Sequence, residues 1–156
     1  MAKETSRKLD RFYLKLYRVA THISRYNREN ALPFARILQE ALAQGFYVDY
    51  MLSDKCLEDL DKKGKSIYCL RNKTLLYQVL DSGQGEINAI ARLLLDMGAD
   101  VNFIDSNNRN ALIYAVIHKM GPSVVSGIIR RTKDINFITK NAGYEKTALG
   151  IVCNYY

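Results

Sequence analysis

Tryptophan is missing from this sequence, proline and histidine occur twice each, and cysteine three times. Each shortage removes a class of protein. Cys56, Cys69 and Cys153 are odd in number and form no close pair, which argues against a disulfide framework. With only His22 and His118 to join them, a zinc site is short of suitably spaced ligands. Buried free thiols in a reducing compartment are the expectation. Two imidazoles also leave little capacity for general-base chemistry, and no Ser-His-Asp or Cys-His arrangement follows from the spacing. His22 falls near the polar boundary of a first helix and is expected to be solvated. Gly83-Gln84-Gly85 lacks the following Lys-Ser/Thr and the preceding strand of a phosphate loop. Asp96 and Asp100 straddle a helix end and make no carboxylate pair. No apolar run approaches the roughly 18 residues needed to cross a bilayer. Met1 to Asp10 is polar, without the apolar centre of a secretory signal. The expectation is a protein that is not an enzyme and takes no cofactor, no metal and no small-molecule substrate.

What is present suits one folded domain. The 156 residues are 48% hydrophobic and 25% charged, within the range of globular chains. The net charge of +7 is unevenly placed: +5 over residues 1–30, −3 over 31–60, +4 over 61–73, −4 over 74–105 and +5 over 106–156. That alternation argues against one continuous basic face.

Along the chain the first signal is helical. From Ser6 to about Tyr26, Leu9, Phe12, Tyr13, Leu16, Tyr17, Ala20 and Ile23 form one apolar stripe, with Arg7, Arg11, Lys15, Arg18 and Arg25 opposite it. A basic amphipathic helix invites a membrane-surface or targeting reading. Glu4 and Asp10 count against targeting, and the next helix offers a packing partner, so a packed stripe with a solvated basic face is expected. Asn27 to Asn30 reads as a turn. Pro33 then sits in the first turn of a second helix, whose stripe is Phe34, Ile37, Leu38, Ala41 and Leu42 and which closes at Gly45. Ser53 to Leu60 suggests a short helix with Leu57 and Leu60 inward. Ile67-Tyr68-Cys69-Leu70 has strand-like composition, so a β-hairpin finger is plausible there.

A recurring order follows. Thr74-Leu75-Leu76-Tyr77 leads through a polar loop to Ala89-Ile90-Ala91-Arg92-Leu93-Leu94-Leu95 and the exit Gly98-Ala99-Asp100-Val101-Asn102. Asp105-Ser106-Asn107-Asn108-Arg109-Asn110-Ala111-Leu112 then restarts it, with an outer helix from Ser123 to Arg131 and the exit Asp134-Ile135-Asn136. A third start is Thr147-Ala148-Leu149-Gly150-Ile151. Gly45-Phe46-Tyr47-Val48-Asp49 has the outline of the Gly98 exit, and Asp61 to Ser66 matches an Asp-x-x-Gly-x-Thr/Ser opening turn. Thr74 is expected to cap its helix, Gly98 to end the outer helix in a left-handed conformation, and Asn102 to bond backbone groups of the loop that follows.

This order resembles the ankyrin repeat, and Asn102 to Asn136 spans 34 residues against a family period of about 33. The chain departs from the pattern where Asn110 stands for Thr, Ile113 for His and Thr132-Lys133 for Gly-Ala. The resemblance implies an all-α, ankyrin-repeat-like solenoid of stacked helix pairs with an N-terminal helical hairpin cap. It divides the chain into a divergent helical unit (1–49), a linking finger (50–72), repeats at 73–104 and 105–138, and a partial repeat (139–156). Leu76, Leu93, Leu94, Leu112, Ile128 and Leu149 are then expected in the core. The last helix lacks an outer partner, which suggests a fragment of a longer array.

Proteins of this family bind other proteins through turn tips and the exposed side of the inner helices. Carried over, that implies partner contacts at Lys73, Asp81, Ser82, Ser106, Asn107, Arg109, Ile117, His118, Lys146 and Tyr155. Ile117 and His118 would emerge at a helix end as an apolar anchor with a polar rim. The degenerate repeats are similar in style to viral or intracellular-bacterial ankyrin proteins that engage host factors. An intracellular, cytoplasmic location follows, in the host cell if the source is a pathogen. The alternative is an electrostatic binder of nucleic acid or anionic membrane that uses the basic first helix and Arg130-Arg131-Lys133.

Overall fold

The computed structural model describes residues 2–21, 31–82, 88–141 and 144–155. Among these, helices α1 (Ala2–Thr21), α2 (Ala31–Ala43), α3 (Asp54–Lys62), α4 (Leu75–Ser82), α5 (Asn88–Asp96), α6 (Ala111–Ile117), α7 (Pro122–Ile129) and α8 (Ala148–Tyr155) account for most of the structure. Strands β1 (Thr139–Asn141) and β2 (Tyr144–Lys146) form one antiparallel hairpin, with Thr139 opposite Lys146. The protein is mostly helical with little strand. No helix among the described residues is long and apolar enough to cross a membrane.

All the helices but α3 lie in two rows. Helix α1 packs on α2 and α4, α4 on α5 and α6, and α6 on α7 and α8, while α2, α5 and α7 follow one another on the outside. The apolar stripe of α1 explains its place: Leu9, Phe12, Tyr13, Leu16 and Ala20 are buried and Tyr17 is half-buried. Arg7, Arg11, Lys15 and Arg18 are exposed. The expected continuation to Tyr26, with Ile23, Arg25 and His22, and the turn at Asn27 to Asn30 lie outside the described residues. So does the Gly83-Gln84-Gly85 loop.

Four helices end in the same way. After α2, α3, α5 and α6, residues Gly45, Gly64, Gly98 and Lys119 adopt positive φ. At each, that residue's N–H and the next one's bond back to carbonyls of the last turn, as Gly98 does to Leu95 and Ala99 to Leu94, at 3.0 Å each. Space does not require glycine at Gly45 or Gly98, since a Cβ there would meet nothing within 4 Å. The left-handed backbone, at φ +89° and +85°, is what favours it.

The exits are also tied from one helix pair to the next. Asp49 Oδ1 accepts from Asp100 N at 2.9 Å. Asn102 Oδ1 accepts from Lys133 N at 2.8 Å, and its amide donates to Arg131 O at 3.0 Å. Asn102 therefore bonds to the exit of the next pair rather than to the loop directly after it. Asn88 Oδ1 accepts from Gly121 N at 2.8 Å, joining the starts of α5 and α7.

Several expectations are corrected. The cysteines are not buried: Cys69 and Cys153 are exposed and Cys56 is half-buried. Leu149 is 71% exposed, whereas Leu76, Leu94, Leu112 and Ile128 are buried and Leu93 is half-buried against the core. On α8 the inward residues are Ala148 and Ile151, three apart on one face, and Leu149 lies about 100° round the helix from Ala148. No strand forms over Ile67 to Leu70. That segment turns back on itself, with Leu70 N and Arg71 N both bonding Ile67 O; Leu70 is buried in the core and Ile67 packs half-buried against it. Asp61 to Ser66 opens no repeat; it is the end of α3 and the cap closed by Gly64. The Thr74 hydroxyl, buried at the start of α4, has no hydrogen-bond partner among the described residues. Asn110 and Ser53 do cap their helices, accepting from Ile113 N at 3.0 Å and Cys56 N at 3.2 Å.

Candidate functional site

The polar side chains that converge most densely do so around Tyr114, at the junction of α4, α6 and the turn before α6. Tyr114 is on the face of α6 that meets α4, so its ring is fully buried. It stands edge-on to Tyr77 at 5.9 Å and parallel to the His118 ring at 6.1 Å. The Lys73 ammonium lies 5.2 Å from its centroid and the Arg109 guanidinium 5.4 Å, both within cation–π range. Its hydroxyl donates to Asp105 Oδ2 at 2.5 Å and accepts from the Asn107 amide at 3.1 Å.

Asp105 organises the turn. Its Oδ1 accepts from Asn107 N at 2.9 Å and Arg109 N at 3.1 Å, so the carboxylate fixes two backbone N–H groups while it holds the tyrosine. Asn108 completes the reversal at φ +54°, a conformation asparagine tolerates better than most residues. Ser106 and Asn107 are thereby left exposed on a braced tip.

Behind the ring lies an ion cluster. Lys73 Nζ is 2.6 Å from Asp81 Oδ2, and the lysine side chain is only 4% exposed. His118 Nε2 stands 3.4 Å from Asp81 Oδ1, close enough for an ion pair when protonated but not aligned as a hydrogen bond. The His118 imidazole first, and the Lys73 ammonium with it, hold the Asp81 carboxyl down to about 2 against its burial. Burial pushes Lys73 downward, but Asp81 and Tyr114 outweigh it and the net shift is upward. Burial and the Asp105 carboxylate both push the Tyr114 hydroxyl up.

The linkage has a definite sign. A carboxyl held below its ordinary value contributes stability at pH above that value and loses it as pH falls. Asp81 should therefore contribute about 1–2 kcal/mol, after allowance for solvent screening of a third-exposed carboxylate, above about pH 4 and lose it toward about pH 2. In urea titrations across that range, Asp81→Asn should show a shallower fall in midpoint than the parent. Parallel curves would mean that the pair contributes nothing.

The expected contact residues divide. Lys73, Asp81, Asn107, Arg109 and His118 come together around Tyr114, and Ser106 sits on the same tip. Lys73 is not a surface contact: it is buried, because its charge is satisfied by Asp81 and its stem packs at the head of α4. Ser82 is half-buried and donates to Val79 O at 2.7 Å, inside its own helix. Ile117 is no protruding anchor. It follows the buried Ile113 by one helical turn and packs, half-buried, against the core. Lys146 lies on β2 opposite Thr139, whose hydroxyl donates to Asn108 O at 2.7 Å, so the hairpin adjoins the same turn. The Tyr155 side chain lies outside the described residues.

Sequence reasoning missed Tyr114 and Asp105 as the centre. The spacing alone pairs Tyr114 with Gln78, each four residues after its helix start at Asn110 or Thr74; the structure adds that Gln78 reaches back to Cys69 O at 2.6 Å as Tyr114 reaches to Asp105. Among the described residues no three His, Cys, Asp or Glu side chains gather as a metal would require. Comparison of the chain with protein-family models and with curated proteins returned no match.

Proposed function

We propose that this chain is a non-catalytic repeat scaffold of the ankyrin type that binds another protein through its braced turn tips. The observation that carries the reading is the repetition of bonds at equivalent places. Asp100 Oδ1 accepts from Asn102 N at 2.8 Å, and Asp134 Oδ1 from Asn136 N at 3.0 Å, one repeat length on. Gln78 and Tyr114 each secure the turn before their own helix. A stack of like units held by like bonds presents its turns in fixed register, and a turn fixed before binding loses less entropy on ordering. Exposed Ser106 and Asn107 with half-buried Arg109 supply a small, rigid polar surface suited to a protein partner.

The test is crosslinking capture from cell lysate with a Ser106→Glu, Arg109→Ala double variant beside the parent. Loss of the captured species by about tenfold or more, with unchanged circular dichroism, is expected. If capture survives that change but disappears when Arg7, Arg11 and Arg18 are reversed to Glu, the basic first helix is the working surface and the reading fails. Salt separates the classes as well. A protein interface of this kind should weaken far less from low to physiological salt than polyanion binding does.

A further inference from the structure

A groove of about 400 Å³ runs between α1 and α3, on a face distinct from the Tyr114 turn. Its floor is apolar, made by Leu14, Cys56 and Leu60, all half-buried. Its rim is basic. Arg7 and Arg11, one helical turn apart on α1, face Lys55 and Lys63 at the two ends of α3, and all four are exposed. None of the four forms an ion pair among the described residues. Against them stand Asp59 at the surface and Asp10 below it. Asp10 is committed to the walls themselves: its carboxylate accepts from Tyr50 Oη at 2.9 Å, Ser53 N at 3.0 Å and Ser53 Oγ at 2.6 Å. The same Ser53 hydroxyl caps α3, so one buried carboxylate sets the spacing of both walls.

We propose that this groove binds an acidic peptide segment carrying apolar side chains, as a second docking surface beyond the turn tips. The carboxylates of such a segment would meet the four cations while an apolar residue filled the Leu14–Leu60 floor. Charge complementarity and a floor already shaped before binding both favour it. Two other polyanions fit less well. A membrane surface needs an exposed apolar stripe to insert, and that of α1 is spent on α2 and α4. Single-stranded nucleic acid binds by stacking on aromatic rings, and among the described residues no aromatic side chain lines the groove.

The experiment uses the full chain and a short fluorescein-labelled peptide of repeated Glu-Glu-Leu, read by anisotropy. Arg7→Glu with Lys63→Glu should weaken binding by about tenfold or more, whereas Arg18→Glu, on the same helix but outside the groove, should leave it within about twofold. Leu60→Ala should weaken binding too, which pure charge attraction would not require. Bound peptide should also slow iodoacetamide labelling of Cys56 but not of exposed Cys69 and Cys153, mapped by mass spectrometry. Equal losses for Arg18→Glu and the groove variants would overturn the proposal. So would an unprotected Cys56, or displacement of the peptide by a thymidine oligonucleotide or phosphatidylserine vesicles at equal or lower charge concentration. Circular dichroism of each variant separates loss of binding from loss of folding.

Discussion

Replacing Tyr114 with alanine should destabilise the protein by about 3–5 kcal/mol, as removal of a large buried aromatic does. The ring is wholly buried and joins two parts of the fold: it packs against Tyr77 of α4 and anchors the turn through Asp105. The cavity left behind would also strand Lys73, whose ammonium now lies over the ring in a nearly closed space. Tyr114→Phe isolates the hydroxyl. It keeps the packing and removes two hydrogen bonds, the one donated to the Asp105 carboxylate and the one accepted from the Asn107 amide, so a loss of about 1–3 kcal/mol is expected. Asp105 would still hold Asn107 N and Arg109 N, which limits the damage to the turn. Urea denaturation checks both variants, and an unshifted midpoint for the alanine change would remove Tyr114 from the centre of the site.

Asp10→Ala should cost about 2–4 kcal/mol, the range for taking a charged acceptor from several buried donors. Its carboxylate is buried and makes no ion pair among the described residues, so deletion also relieves some desolvation; that places the expected value below the sum of the bonds. The donors left behind weigh more. Tyr50 Oη loses its better acceptor, and Ser53 loses bonds to both its hydroxyl and its N–H. Burial, with Asp10 beside it, pushes the Tyr50 hydroxyl up, so it remains a donor at all ordinary pH. Asp10→Asn is the informative control. One amide oxygen can replace one carboxylate oxygen, but the amide NH2 then faces a donor, and roughly half the alanine cost is expected. A neutral Asp10→Ala would mean that α3 holds its place without this carboxylate.

Periodicity made the helical rows legible. The stripe from Leu9 to Ala20 is buried as its spacing demands, because an amphipathic helix has one face to bury and a neighbour to bury it against. Gly45 and Gly98 were readable as helix ends because positive φ is a local, residue-specific demand. Asn110 and Ser53 cap their helices for the same local reason. Short-range rules failed where the local pattern had two solutions. Asp61 to Ser66 suits an opening turn or a helix terminus alike, and the extent of α3 chose the second. Ile67 to Leu70 has strand composition but finds no strand to pair with, so turn bonds to Ile67 O satisfy it instead.

Three features came only from the tertiary structure. Leu149 and Ala148 are adjacent, and composition favours burying the leucine, yet the direction from which α8 meets α6 buries Ala148 and Ile151. Lys73 looks like a surface residue until Asp81, a full helix later, and Tyr114, on another helix, close around it. Asp10 and Ser53 become one hinge-pin only when α1 and α3 are brought side by side. The sequence by itself determined which segments would be helices, where most of them would end, and which stripe of α1 and α2 would face inward, since these are settled within a few residues by backbone sterics and side-chain period. The tertiary structure decided which charges were buried and which polar groups met, because a buried lysine or aspartate is tolerable only where distant parts of the chain supply its partners.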